Sequence, residues 1–152
     1  MSHAAKTFLA RHVRCWAFAV LLGSTPAYSA DQPDVSPKSI PGVVKVDAEK
    51  VLALVEQLPN LVVIDARITG DRHQGFIEDS ISLPDVETDC QSLGRVAPSK
   101  ATPLLLYCNG PKCGRSAKSA QKALACGYNR IYWFRGGFEE WRAKDYPVVK
   151  NP

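Results

Sequence analysis

Residues 107–116 read Tyr-Cys-Asn-Gly-Pro-Lys-Cys-Gly-Arg-Ser and gather two thiols, two cations and two glycines into ten positions. An apolar run, Pro103 to Tyr107, leads in, and a helical pattern, Ser116 to Cys126, leads out. A thiol at such a strand-to-helix junction faces the free backbone N–H groups of the helix start, which favour negative charge. Its pKa is expected to fall there, so that Cys108 is a thiolate nucleophile near neutral pH. Gly110 and Gly114 let the backbone curl around the sulfur, while Lys112 and Arg115 can hold an anionic reactant. With Asn109 they form the candidate binding loop. The plainer reading is a small apolar residue that finishes a strand, followed by a turn. The glycines and cations around Cys108 favour the chemical one.

The remaining elements must place this loop. Val43 to Val46 reads as a short strand, and Asp47 stands as N-cap for a helix over Ala48 to Leu58. In that helix Val51, Leu52, Val55 and Leu58 fall at helical spacing, and Pro59-Asn60 ends it. Leu61 to Ile64 is a continuous apolar run closed by Asp65, as expected of a strand buried on both faces. Residues 69–76 suit one helical turn, Ser80 to Leu83 a short strand, and Cys90 to Leu93 a short helix in a long loop. The 116–126 helix packs through Ala117, Ala120, Ala123 and Leu124, with Gly127 at its C-terminal cap. Ile131 to Phe134 and Phe138 to Lys144 add a strand and a helix. Strand and helix alternate with short links, which predicts an α/β fold with a parallel sheet covered on both faces. Reactive groups in such sheets gather at the carboxyl ends of strands, where Asp65 and Cys108 both stand.

At 45% hydrophobic and 22% charged residues, the composition is that of a globular domain. The first thirty residues read as a secretory signal peptide. Lys6, Arg11 and Arg14 precede an apolar run from Cys15 to Leu22, and small residues follow at Ala27, Ser29 and Ala30. That run is far short of the roughly 20 residues that span a bilayer. Its removal takes away three of 19 basic residues and no acidic one, leaving 16 against 15 and a net charge near +1. The basic character thus belongs to the targeting segment and gives no support to a nucleic-acid partner. Residues 31–42 read as a flexible leader and 43–150 as the domain, periplasmic or secreted, with no membrane association after cleavage. Of the four remaining cysteines, Cys126 reads as a buried core thiol, and the pairing of Cys90 is open. One histidine, His73, with scattered cysteines makes a poor metal site.

From about residue 45 to 149 the chain resembles a single rhodanese (sulfurtransferase) domain. Val-Val-Ile-Asp-Ala-Arg (62–67) resembles the family's strand ending in Asp-x-Arg. The Cys108 loop stands where the family places its active-site loop. Tyr-Trp-Phe-Arg-Gly-Gly-Phe-Glu-Glu-Trp (132–141) resembles the family's Gly-Gly-x-x-x-Trp ending. The resemblance implies a central, mostly parallel five-stranded sheet with helices on both faces. It also implies a Cys108 thiolate that takes a sulfane sulfur from a thiosulfate- or polysulfide-type anion, becomes a persulfide, and passes the sulfur to a thiol, cyanide or protein acceptor. No metal or organic cofactor is implied. Asp65 and Arg67 match positions that brace the domain near the site, while Gly136, Gly137 and Trp141 match packing positions.

Two features depart from the family pattern. Gly75-Phe76-Ile77 stands where Gly-His-Ile is common, and Arg115 follows Cys108 by seven residues, longer than the sulfurtransferase or phosphatase loops of this fold. The longer loop brings in Cys113, which resembles the second thiol of exported Cys-x-Gly-Pro-x-Cys relatives. It either attacks a persulfide or sulfenic acid on Cys108, closing a reversible disulfide, or simply fills the loop. The rivals to sulfur transfer are therefore a thiol–disulfide protein using Cys108 with Cys113, and a non-catalytic sulfur-carrying or sensing module.

Overall fold

A computed structural model of the chain describes residues 36–150. The signal segment read over residues 1–30 lies outside them. Five strands form one sheet: β1 (Val44–Val46), β2 (Val62–Asp65), β3 (Ile81–Ser82), β4 (Leu104–Tyr107) and β5 (Ile131–Phe134). Their order is β1-β5-β4-β2-β3 and every neighbouring pair is parallel. Four helices flank it: α1 (Ala48–Gln57), α2 (Cys90–Val96), α3 (Arg115–Ala125) and α4 (Gly137–Ala143), with a 3₁₀ turn at Thr69–Gln74. No described helix is long and apolar enough to cross a membrane.

The central strand shows why the apolar runs are strands. Side chains alternate between faces, so a strand covered on both sides has no polar positions to spare. Leu104 and Leu106 join Ile64, Ile131 and Trp133 under α2 and α3. Leu105 and Tyr107 join Val63 and Phe134 under α1 and α4. Cys108 comes next in the alternation and falls on the α3 side.

Three expectations are corrected here. Cys126 is not a core thiol: it is bonded to Cys90, which ties the first residue of α2 to the end of α3 across 36 residues of sequence. A loop of that size contributes roughly 2–4 kcal/mol by restricting the unfolded chain. The second half of the supposed leader is packed, with Ile40 in the core and the Pro37 carbonyl accepting a 2.8 Å bond from Arg135 Nε. In α1 the buried stripe is Ala48, Val51 and Leu54, whereas Leu52 and Val55 face solvent. Asp47 caps α1 as expected, its carboxylate accepting from Lys50 N at 2.9 Å, and Glu140 of α4 accepts from Ala48 N at 2.9 Å.

Candidate functional site

The loop from Cys108 to Gly114 runs from the C-terminal end of β4 to the start of α3. Cys108 is 1% exposed. The Ser116 hydroxyl donates to its Sγ at 3.2 Å, and Trp133 Nε1 donates to that hydroxyl at 2.9 Å. The indole thereby fixes which way the Ser116 proton points. The Ser116 backbone N–H also faces the sulfur.

Cys113 folds back over Cys108. The Cys108 thiol donates to the Cys113 carbonyl oxygen at 3.2 Å, which brings the two thiols close enough to influence each other's ionisation, and neither is in a disulfide. The expected ring of N–H groups is shared between the two sulfurs: those of Arg115 and Asn109 face Cys113, that of Ser116 faces Cys108.

This division reverses the expected acidity. The neighbouring Cys113 thiol, with burial, pushes the Cys108 thiol up. The same pairing, helped by the Arg115 and Asn109 N–H groups, brings Cys113 down to about 6. The pair loses its first proton as a unit. Alkylation of Cys113 should therefore climb through about pH 6 and level off, well below the ordinary thiol range near 8.5. Replacing Cys108 with alanine removes the largest cause, so the midpoint should move up. Rates measured from pH 5 to 9 and assigned by peptide mass check this; an unchanged midpoint in Cys108→Ala would refute the pairing.

The cations serve differently from expectation. Arg115 faces Asp71 at 3.6 Å and Asp85 at 3.9 Å, so two carboxylates already occupy its charge. Lys112 is exposed at the loop tip. Asn109 turns its side chain to Asp71 at 2.9 Å. The Gly110 carbonyl accepts from Cys113 N at 3.0 Å, closing the turn, and a side chain at Gly110 would run into Glu139. Gly114 caps α3 with an ordinary right-handed φ of −82°. Pro111, Arg135, Glu139 and Glu140 line a cleft on one side of the loop, and Gln74, Asn109 and Arg142 one on the other.

Asp65 and Arg67 lie on the opposite face of the sheet from the Cys108 sulfur. The Asp65 carboxylate accepts from Arg67 Nε at 2.8 Å and Nη2 at 2.7 Å, from Arg72 Nη1 at 3.0 Å and from the Tyr107 hydroxyl at 2.9 Å. The Arg67 guanidinium lies 4.3 Å from the centre of the Phe138 ring. They reach the sulfur site only through the residues beside it.

One contributor read as packing is part of the loop's support. The first turn of α4 holds the loop backbone: Phe138 N donates to the Cys108 carbonyl at 2.8 Å and Glu139 N to the Asn109 carbonyl at 2.7 Å. Gly137 has φ +60° and presses its Cα against the Cys108 carbonyl group. The glycine pair in the sequence was the available clue.

A family model described as the rhodanese-like domain matches residues 47–144. The chain belongs to the rhodanese-like domain family. Its architecture is found in solved structures that share the fold at low identity. A Bacillus halodurans protein is 24% identical, with a TM-score of 0.63 over 70% of this chain and 77% of its own. A thiosulfate sulfurtransferase from Pseudomonas aeruginosa is 22% identical, with a TM-score of 0.62 over 72% of this chain and 21% of its own. A polysulfide-sulfur transferase homodimer from Wolinella succinogenes is 16% identical, with a TM-score of 0.59 over 72% of this chain and 80% of its own. No curated protein matches the sequence. In this rhodanese-like domain the thiol stands where the fold places reactive groups, but a second thiol covers it.

Proposed function

We propose that the chain is an exported sulfurtransferase that carries a sulfane sulfur as a Cys108 persulfide. One observation carries the reading: a cysteine at the end of the central strand of a rhodanese-like domain, its sulfur met by the hydroxyl and N–H of Ser116 at the start of α3. Those donors suit a sulfur that alternates between thiolate and persulfide anion. The donor is a small thiosulfate- or polysulfide-type anion. A thiolate attacks its outer sulfur, and the remainder leaves with the bonding pair; a thiol, a cyanide ion or a protein thiol then removes the sulfur. The Pseudomonas and Wolinella structures, named for thiosulfate and polysulfide sulfur transfer, support this substrate class. The Cys90–Cys126 bridge supports a compartment that permits disulfides, in line with the signal segment.

The test is intact mass before and after thiosulfate, on wild type and Cys108→Ser. A gain of about 32 Da on wild type, reversed by cyanide and located after complete loading on the Cys108 peptide, which carries no added sulfur in the variant, is the expected result. The fold of Cys113 over Cys108, with both thiols free, favours a second reading, a thiol–disulfide protein. That reading predicts instead a mass about 2 Da low that reductant restores.

A further inference from the structure

We propose that Cys113 is the donor-facing thiol of a two-thiol relay, receiving the sulfane sulfur first and handing it inward to Cys108. This rests on the sulfur-transfer reading and assigns the path within it. Cys108 is 1% exposed, with the Cys113 carbonyl 3.2 Å from its sulfur, whereas Cys113 is only half-buried. A donor approaching from solvent thus meets Cys113 first. Cys113 is folded against Cys108, its carbonyl 3.2 Å from the Cys108 sulfur, so a sulfur atom carried by the outer thiol is within reach of the inner one. Each sulfur also has its own donors. The Arg115 and Asn109 N–H groups face the outer one, while Ser116, with its hydroxyl oriented by Trp133, faces the inner one. A residue that merely filled the loop would not need a separate set of N–H groups.

The steps balance without an oxidant or reductant. The Cys113 thiolate attacks the outer sulfur of thiosulfate; the donor's S–S bond breaks and sulfite leaves with the electron pair. The Cys108 sulfur then attacks the outer sulfur of the Cys113 persulfide. A bond from Cys108 Sγ to that sulfur forms, and the bond from Cys113 Sγ to it breaks. The electron pair stays on Cys113, which takes up the proton that Cys108 gives up. The product is a Cys108 persulfide held by Ser116 and shielded by the loop. Attack on the inner sulfur atom instead would expel sulfide and close a Cys108–Cys113 disulfide.

Lys112 lies between the two cysteines, so trypsin separates them and allows the path to be followed. Wild type, Cys108→Ser and Cys113→Ser are mixed with thiosulfate, quenched at intervals with an alkylating agent, digested and mapped by mass. The relay predicts that the added sulfur, about 32 Da, appears first on the Cys113 peptide and later on the Cys108 peptide. It also predicts that Cys108→Ser still loads at Cys113, and that Cys113→Ser loads Cys108 at least about tenfold more slowly than wild type. First appearance on Cys108, with Cys113→Ser loading at the wild-type rate, overturns the relay and leaves sulfur transfer standing. Prompt sulfide release with formation of the Cys108–Cys113 disulfide overturns it in favour of the redox reading. No added sulfur on any of the three proteins, with both thiols still alkylatable, overturns the sulfur-transfer reading itself.

Discussion

Replacing Asp65 with alanine is expected to lower the stability of this domain by about 3–5 kcal/mol, a large share of what a domain of this size has. The carboxylate is fully buried and is the hub of four side-chain bonds, from Arg67 twice, from Arg72 and from the Tyr107 hydroxyl. Burial opposes the charge on the Arg67 guanidinium, but the hydrogen bond to Asp65 and the surrounding negative charge, that of Asp65 foremost, together outweigh it and hold its pKa above the ordinary value. Without Asp65, the buried guanidinium of Arg67 is left donating to the Gly75 carbonyl at 2.9 Å, with no carboxylate to balance its charge. An uncompensated buried cation is the dominant loss, larger than the bonds themselves. Chemical denaturation should show a lower midpoint with unchanged slope, and the thermal midpoint should fall by roughly 10 °C or more. Asp65→Asn keeps the shape and part of the bonding, so its loss should also be large, because the charge is still missing. A change below about 1 kcal/mol in both variants would mean that water or a shifted side chain reaches Arg67.

Much of this arrangement is legible in the sequence, for physical reasons that also mark where legibility ends. Leu61 to Ile64 and Pro103 to Tyr107 announce themselves because a parallel strand buried on both faces tolerates no alternation. Cys108 follows directly, since the alternation and the helix start leave it little choice of position. Where two answers have equal local merit, the sequence is silent. In α1, Leu52 and Val55 form a stripe as regular as Val51 and Leu54, and only docking against the sheet decides which is buried. Cys90 and Cys126 meet because α2 and α3 pack side by side, a tertiary contact with no local pattern. Ile40 reads as part of a proline-rich leader and becomes core because the sheet's α3 side has room for it. The division of N–H groups between two sulfurs depends on the path of the loop backbone. Residue types alone place both thiols near the helix start and do not say which one receives which donors.

The same dependence on backbone path makes Gly137→Ala the more telling substitution at the site. A Cβ at Gly137 would overlap the Cys108 carbonyl oxygen and stand 3.0 Å from the Cys108 carbonyl carbon and 3.1 Å from that of Asn109. All three atoms are main chain, and the Phe138 and Glu139 N–H bonds, at 2.8 and 2.7 Å, hold them against α4. No side chain can rotate aside, so either α4 tilts or the loop lifts. Lifting moves the Cys108 and Cys113 sulfurs away from Ser116 and the other donors. A displacement of about 1 Å at a reacting group typically lowers rates by about a hundredfold. Sulfur loading from thiosulfate, followed by mass over time, should fall by about that factor or more. Gly127→Ala is the matched control: its φ is +88°, but nothing lies within 4 Å of the added Cβ. It should lose about 1–2 kcal/mol of stability from the left-handed backbone alone and load sulfur at the wild-type rate. If Gly137→Ala loads as fast as Gly127→Ala, the loop does not depend on its seat against α4. In that case the geometry around Cys108 is set from the α3 side, by Ser116 and Trp133.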